Sequence, residues 1–532
     1  MNILDCTLRD GGYYNDWNFP IDLIERYLAA ITTAGVPVVE VGFRSLTNSG
    51  FKGPCAFSRD EFLDSLDIPD HVSIGVMVNG SELVGPLEQS KVLEKLFPRS
   101  ADASAVGLVR IACHMSEFEA CLPATKWLKG KGYKVGMNLM QVADRGKDEL
   151  ISLAKRATEY PIDVLYFADS LGSMGPEQTA EIVHWFREGW SGAMGIHTHD
   201  NMGRALQNTL RAYDEGVSWL DTTVTGMGRG PGNAKTEELL IEAMDRGESS
   251  GDLVPLMKLI REYFDPLRLR CGWGKNFYYY LAGKYGIHPT YIQSVLGDSR
   301  YKEEEIFSLL EYLKDKDAKS YSSGFLQSAR LSYPTSPKGT WSPRSIFPNR
   351  DVLILGTGPS LREHRVAIQN YIQCRRPVVL ALNTQSEIES RLIDFRIACH
   401  PLRLLADFEM YKELSNPLIT PLSMLPEKIQ SAFTGMEVLD FGVDVQKNTF
   451  QFFDTYCVIP SPLVFAYAIA IATSGHANKI TLAGFDGYGP VDPRTTEMQL
   501  TLDAYKKAEF SIPILAITPS CYHIDKESVY AC

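Results

Sequence analysis

Gly192-Ala193-Met194-Gly195-Ile196-His197-Thr198-His199-Asp200-Asn201 is an apolar run of strand length that ends in a pair of histidines. Histidines at i and i+2 on a strand carry their imidazoles on the same side. Near the N-terminus, Asn2-Ile3-Leu4-Asp5 is a second short apolar run, and Leu8-Arg9-Asp10-Gly11-Gly12 follows it in what reads as a loop. Asp10 with His197 and His199 makes a two-histidine, one-carboxylate set, which leaves coordination positions open for a substrate. Taken alone, such a histidine pair is more often two polar residues on a strand or loop. Placement decides otherwise here, because both halves of the set fall at C-terminal strand ends, where α/β barrels keep their chemistry. Arg9 adds a fixed positive charge beside the aspartate, where an oxyanion would develop.

Working outward, strand candidates begin near Ile3, Pro37, Val72, Val106, Lys134, Asp163, Ala193 and Ser218. Between them, helical periodicity covers Ile21–Thr33, Glu117–Lys129, Lys147–Thr158, Glu177–Glu188, Arg204–Glu215 and Lys235–Arg246. Eight βα units within about 245 residues is the rhythm of a TIM (β/α)8 barrel. A doubly wound sheet fits less well, since it would separate the first and seventh strands. The expected architecture is therefore α/β: a metal-dependent barrel domain over 1–250 and a helical extension over 251–331. A linker over 332–350 and a separate Rossmann-like α/β domain over 351–532 follow. The linker, Ser332 to Arg350, holds four prolines without apolar period. Beyond it, Asp351 to Leu361 restarts a strand, glycine-rich turn and helix. Further strands are expected near Val378, Phe395 and Ile480, with an alanine-rich helix at Leu463–Ala472.

A chain of 532 residues is too long for one hydrophobic core, and 45% hydrophobic with 22% charged residues is ordinary for a globular protein. The net charge of −12 leaves no basic footprint for nucleic acid or an anionic membrane. Ten scattered cysteines without a CxxC pair favour a reducing, cytoplasmic setting. The N-terminus enters a strand at once, which argues against a signal peptide, and no apolar run reaches membrane-helix length.

An α-keto acid such as pyruvate chelates a divalent metal through a carboxylate oxygen and its keto oxygen, and chelation stabilises the enolate. Asp10, His197, His199 and Arg9 are the minimum set for that work. Ser170, in Asp169-Ser170-Leu171-Gly172, is either a hydrogen-bond partner of the substrate carboxylate or an ordinary turn or N-cap residue. In the helical extension, His288 and Tyr291 are either packing residues or groups that reach the mouth of the barrel.

LRDGG at 8–12, HTHDNMG at 197–203 and TGMGRGPGNAKTEEL at 225–239 resemble the DRE-type metal-dependent TIM-barrel lyases, and among them the 4-hydroxy-2-oxovalerate aldolases. The resemblance covers roughly residues 1–330. It implies Asp10, His197 and His199 as metal ligands, Arg9 as enolate stabiliser, and Asn233 in or near the coordination shell. It also implies manganese, with magnesium, cobalt or zinc as alternatives. Where those aldolases carry a histidine three residues after the metal aspartate, this chain has Tyr13, followed by Tyr14. An unperturbed phenol with a pKa of about 10 is a poor base at neutral pH. The proton-handling role therefore falls to a tuned Tyr13 or Tyr14, to His288 or Tyr291, or to water.

Gly356-Thr357-Gly358-Pro359-Ser360 can be plain turn chemistry or a phosphate cradle at a helix N-terminus. With LALN at 380–383, SPLVFAYAIAIA at 461–472 and ITLAGFDGY at 480–488, it resembles bacterial sialyltransferase-like and motility-associated-factor-like glycosyltransferase domains. That likeness implies a CMP-sugar site near Gly356, Gly358, Ser360, Asn383 and Asp486, with Ser461 and Pro462 along the cleft; His400 reads as structural. The expectation is a cytoplasmic, homo-oligomeric, metal-dependent pyruvate aldolase whose acceptor is a sugar-like aldehyde. Its product would be a 2-keto-3-deoxy sugar acid for a surface polysaccharide. Two alternatives stand: an acetyl-CoA-dependent Claisen enzyme like isopropylmalate synthase, and a C-terminal half that only binds nucleotide or docks.

Overall fold

The computed structural model describes residues 1–296, 303–314, 318, 337–425, 427–488 and 492–531. The chain forms two compact units, one from Met1–Gly297 with Tyr312–Tyr321 and one from Asp298–Glu311 with Ser322–Cys532.

In the first unit, eight strands close into a parallel barrel in chain order. They are β1 (Asn2–Asp5), β2 (Val38–Phe43), β3 (Ser73–Asn79), β4 (Val106–Cys113), β5 (Lys134–Leu139), β6 (Val164–Asp169), β7 (Ala193–Thr198) and β8 (Trp219–Thr222). Closure runs through β1, which pairs with β2 at Leu4↔Val38 and with β8 at Asn2↔Trp219. Strands sandwiched between a filled barrel and a helical layer are buried on both faces, so they read as continuous apolar runs rather than alternating ones. The surrounding helices bury one stripe each; Ile21–Thr33 turns Leu23, Ile24, Tyr27, Leu28 and Ile31 inward. The strand expectations hold at all eight places. Two short helices, Asp60–Leu63 and Gln89–Leu96, lay below the sequence signal because each is too short for a clear period.

The helical extension runs through Val254–Leu259, Ile260–Phe264, Asp265–Cys271, Phe277–Tyr285 and Pro289–Leu296. Phe264, Leu267 and Trp273 join the barrel's own hydrophobic core. The Asn276 side chain caps Phe277–Tyr285 by accepting from the Tyr279 N–H, and Gly286, at φ 67°, ends it.

The second unit contains β9 (Asp351–Leu355), β10 (Val378–Leu382), β11 (Phe395–Ile397), β12 (Leu418–Thr420), β13 (Val438–Asp440), β14 (Gly442–Val445), β15 (Gln451–Phe452), β16 (Tyr456–Ile459), β17 (Lys479–Ala483), β18 (Ile514–Ala516) and β19 (Asp525–Lys526). Eight of these make one parallel sheet in the order β13-β12-β11-β10-β9-β17-β18-β19, and β14-β16-β15 make a small second sheet. The chain starts at the centre, winds to one edge, then crosses back at β17, so the switch point lies between β9 and β17. Val464–Ser474 is a helix buried on nearly every side, which explains its lack of amphipathic pattern. Apart from β11, which was expected near Phe395, this unit's strands of two to four residues escaped sequence reading for want of length. Part of the proline-rich stretch belongs to this unit's body: Thr340 N–H and Oγ1 bind Asp440, and Phe347 is fully buried in the core. No helix among the described residues is long and apolar enough to cross a membrane.

Candidate metal centre

Asp10 sits on a one-turn helix, Thr7–Asp10, rather than in a loop. Asp5 at the end of β1 builds that turn: its carboxylate accepts from Thr7 N–H and Oγ1 and from the Tyr27 and Thr236 hydroxyls. The turn faces His197 on β7 and His199 just beyond it, and the three side chains offer ligand atoms all within 4.8 Å of one another. His197 Nε2 lies 3.8 Å from Asp10 Oδ2, while its Nδ1 lies 3.0 Å from Asp221 Oδ2 on β8. A carboxylate on the far nitrogen fixes the ring and its tautomer, and leaves Nε2 as a lone-pair donor.

Asp221 belongs to a closed chain of charges inside the barrel. Arg110 on β4 binds Asp221 at 2.6 Å and Glu40 on β2 at 2.7 and 2.8 Å, with the Tyr166 ring 4.6 Å from its guanidinium carbon. Glu40 in turn accepts from Arg9 Nε at 2.8 Å, and Arg9 Nη1 reaches Asp10 Oδ1 at 2.7 Å. Burial alone would raise all three carboxyls, but the facing guanidinium groups outweigh it and hold Asp10, Glu40 and Asp221 below the ordinary range. Three carboxylates against two arginines leave one negative charge, the sign a cation site needs. Gly195 makes room for this interior, since a Cβ there would lie 2.2 Å from the Tyr166 ring.

The donor set fits a divalent cation. Burial, then His197, push the His199 imidazole down to about 3, so the ring is neutral and able to ligate. Asn233 Nδ2 donates to Asp10 Oδ2 at 2.5 Å. Around these groups, Arg9 Nη2, Asn233 Oδ1 and His199 Nδ1 are buried without a hydrogen-bond partner. Buried polar atoms are normally paired; an orphaned nitrogen on His199 and two orphaned atoms beside the candidate ligands match a site that binds a metal and a chelating oxygen ligand. A second grouping, Cys6 with His197 and Asp221, is a poorer one. Burial pushes the Cys6 thiol well up, its Sγ donates to Thr222 O, and Arg110 already engages Asp221.

Next to the triad, Tyr13, His114, Gln141, Arg229, His288, Thr290, Gln293 and Ser294 line a cavity of about 540 Å³. Tyr13 stacks edge-on against Trp17 and lies 5.7 Å from the Arg229 guanidinium carbon. Desolvation pushes its phenol up. Burial, with Arg229 and His114, pushes His288 down to about 3, and its Nδ1 accepts from Thr290 N–H. Tyr14 turns away, donating to Gly230 O and packing on Trp273, and Tyr291 is buried at 1% exposure among the helices. Ser170 Oγ accepts from Gln141 N–H, tying the loops after β5 and β6 together.

The HMGL-like family model matches residues 109–260. A 4-hydroxy-2-oxovalerate aldolase of Pelotomaculum thermopropionicum is 31% identical over 269 residues, covering 48% of this chain and 74% of that protein. The chain belongs to the HMGL-like aldolases. An oxaloacetate decarboxylase of Mycobacterium tuberculosis is 27% identical over 247 residues, 46% of this chain and 70% of that protein. The solved N-terminal domain of a candidate aldolase from Bacteroides vulgatus is 28% identical with a TM-score of 0.49, covering 56% of this chain and 98% of that one.

In this HMGL-like barrel the structure brings Arg9, Asp10, His197, His199 and Asn233 together, and gathers Tyr13 and His288 at the adjoining cavity. Sequence reasoning missed Glu40, Arg110 and Asp221; a lone charge inside each of PVVEVGF, VGLVRIA and SWLDTTV was the available signal. It also passed over His114, Gln141 and Arg229.

In the second unit, Gly358 and Ser360 do meet Asp486 at the switch point, Gly356 packs on Gly484 beside them, and Asn383 follows the end of β10. The turn's amides are already engaged, however. Gly356 and Gly358 N–H donate to Ala483 and Gly484 carbonyls, and Ser360 N–H and Oγ donate to the Asp486 carboxylate. A Cβ at Gly358 would lie 2.0 Å from Asp486 Oδ2, so the anion at this turn is the chain's own.

Proposed function

We propose that this chain is a divalent-metal-dependent pyruvate aldolase, in which Asp10, His197 and His199 hold the cation and Arg9 meets the enolate oxygen. The observation that carries the reading is the cluster of three ligand atoms within 4.8 Å, bordered by the orphaned Arg9 Nη2 and Asn233 Oδ1. A divalent cation there, manganese by family likeness, supplies Lewis acidity at a keto oxygen. The chain's residues supply the rest. Glu40 and Asp10 hold two edges of the Arg9 guanidinium, so its third nitrogen is fixed in place for the oxygen where charge develops. The Ser170 hydroxyl suits a substrate carboxylate. In synthesis, the pyruvate methyl loses a proton and its carbon bonds to the aldehyde carbon; the carbonyl electron pair moves to oxygen, which takes a proton. A phenol with an ordinary pKa of about 10 keeps its proton at neutral pH, so Tyr13 suits donation to that oxygen, and His288 is the second candidate at the same wall.

The acceptor we favour is sugar-like, giving a 2-keto-3-deoxy sugar acid; a cavity of about 540 Å³ walled by hydrogen-bonding side chains supports this over a two-carbon aldehyde. For the second unit, the Asp486 carboxylate beside Ser360 suits a hydroxyl-bearing ligand at the switch point, and the CMP-sugar reading stands as a proposal on sequence likeness. Loss of CO₂ from oxaloacetate generates the same enolate, so that reaction belongs in the assay. The deciding experiment is deuterium exchange into the pyruvate methyl, followed by NMR. Exchange should stop in excess chelator and return with Mn²⁺; exchange that persists in the chelated protein overturns the proposal.

A further inference from the structure

We infer that the acceptor aldehyde carries an anionic group, a phosphate or a carboxylate, and that Arg229 binds it. This rests on the aldolase reading above and names the substrate class. Arg229 lies in the glycine-rich loop after β8, between Asp10 and Asn233 on one side and the helical extension on the other. Gly228 beside it packs so closely on Asp10 and Asn233 that a Cβ there would sit 2.7 and 2.5 Å from their side chains. The loop therefore leaves the metal site at residue 228 and turns the next side chain toward the cavity it lines with Tyr13 and His288.

Three features point to an anion. Among the described residues no carboxylate pairs with Arg229, and its Nε is buried without a hydrogen-bond partner; a guanidinium is normally paired when its nitrogens leave water. None of the eight lining residues is acidic, although the whole chain carries a net charge of −12, so the cavity is a local reversal of the molecule's field. His288 adds a proton donor to the same wall: its Nδ1 accepts from Thr290 N–H, which places the ring proton on Nε2. Thr290 and Gln293 add neutral hydrogen-bonding groups to the same wall. An apolar two- or three-carbon aldehyde has no anion for Arg229 to bind.

The test compares matched acceptors with the full-length, metal-loaded protein and pyruvate: D-glyceraldehyde 3-phosphate against D-glyceraldehyde, and D-glucuronate against D-glucose. The charged member of at least one pair should have a kcat/KM higher by about 10-fold or more, the worth of one charge-assisted hydrogen bond; which pair responds tells phosphate from carboxylate. Arg229→Gln should collapse that ratio toward one and Arg229→Lys should keep part of it. Because the ratio is taken within each enzyme, partial loss of folded protein cancels. Should Arg229→Gln not fold, the wild type still decides: rising ionic strength must raise KM for the charged acceptor and not for the neutral one. Equal kcat/KM within both pairs overturns the inference, as does an Arg229→Gln protein whose KM rises for pyruvate alone, which would assign the guanidinium to the pyruvate carboxylate. Absence of metal-dependent exchange into pyruvate without any acceptor would instead sink the aldolase reading itself.

Discussion

His197 works only because two other residues hold it. Its Nδ1 leans on Asp221, and Asp221 is held by Arg110, so ring orientation is set from the opposite side of the barrel. Replacing a carboxylate that orients a metal-bound imidazole typically weakens metal affinity by about 10- to 100-fold. Asp221→Asn should therefore lower Mn²⁺ affinity by that amount, measured on folded protein by competition with a fluorescent chelator. Cys6, which touches the same pair in the poorer grouping, should tolerate Cys6→Ser with affinity retained; the reverse order would move the metal to the other group. HxH and LRDGG were legible as candidate ligands because each proposed ligand sits in a short local motif. Asp221, Glu40 and Arg110 were not, since each is a single charge within an apolar strand, and only closure of the barrel brings β2, β4 and β8 face to face.

The loop after β8 joins the candidate metal site to the neighbouring cavity. Gly232, at φ 81°, turns the chain where a Cβ would meet Gly226 O at 2.1 Å, and Asn233 returns beside His199 through an isolated bridge. Gly228→Ala would press a methyl group against Asn233 Nδ2 and Asp10 Oδ2. The expected outcome is a folded barrel, unchanged in far-UV circular dichroism, with metal affinity and pyruvate exchange both reduced by about 10-fold or more. Normal exchange in this variant would show that the loop yields freely and does not position Asn233. The sequence announced this loop through its glycines, yet the direction of Arg229 depends on the close approach of Gly228 to the triad, a contact between residues more than 200 positions apart.

At the scale of the molecule, burial of unpaired acids gives stability a pH dependence. Asp169, at the end of β6, is pushed up to about 7 by desolvation despite accepting from Ser173 and Met174 N–H. Below the ordinary value of 3.8 folded and unfolded chains both hold the proton. Between that value and about 7 the unfolded chain releases it while the folded chain retains it, so stability falls with rising pH and levels off above. Asp169→Asn removes this titration. Measured by urea unfolding, its stability relative to wild type should improve by about 1 to 4 kcal/mol from pH 4 to pH 7. Glu237, also raised to about 7, titrates in both proteins and drops out of the difference. A pH-independent difference would place the Asp169 pKa in the ordinary range. The sequence alone determined the barrel and its strand rhythm and singled out the candidate triad, because hydrophobic period and short motifs are local properties of the chain. Only the tertiary structure decided the charged interior, the cavity that gathers Tyr13, Arg229 and His288, and the filling of the Ser360 turn by Asp486. Those arrangements join residues from different strands and loops, whose proximity is fixed by packing and carries no signature along the chain.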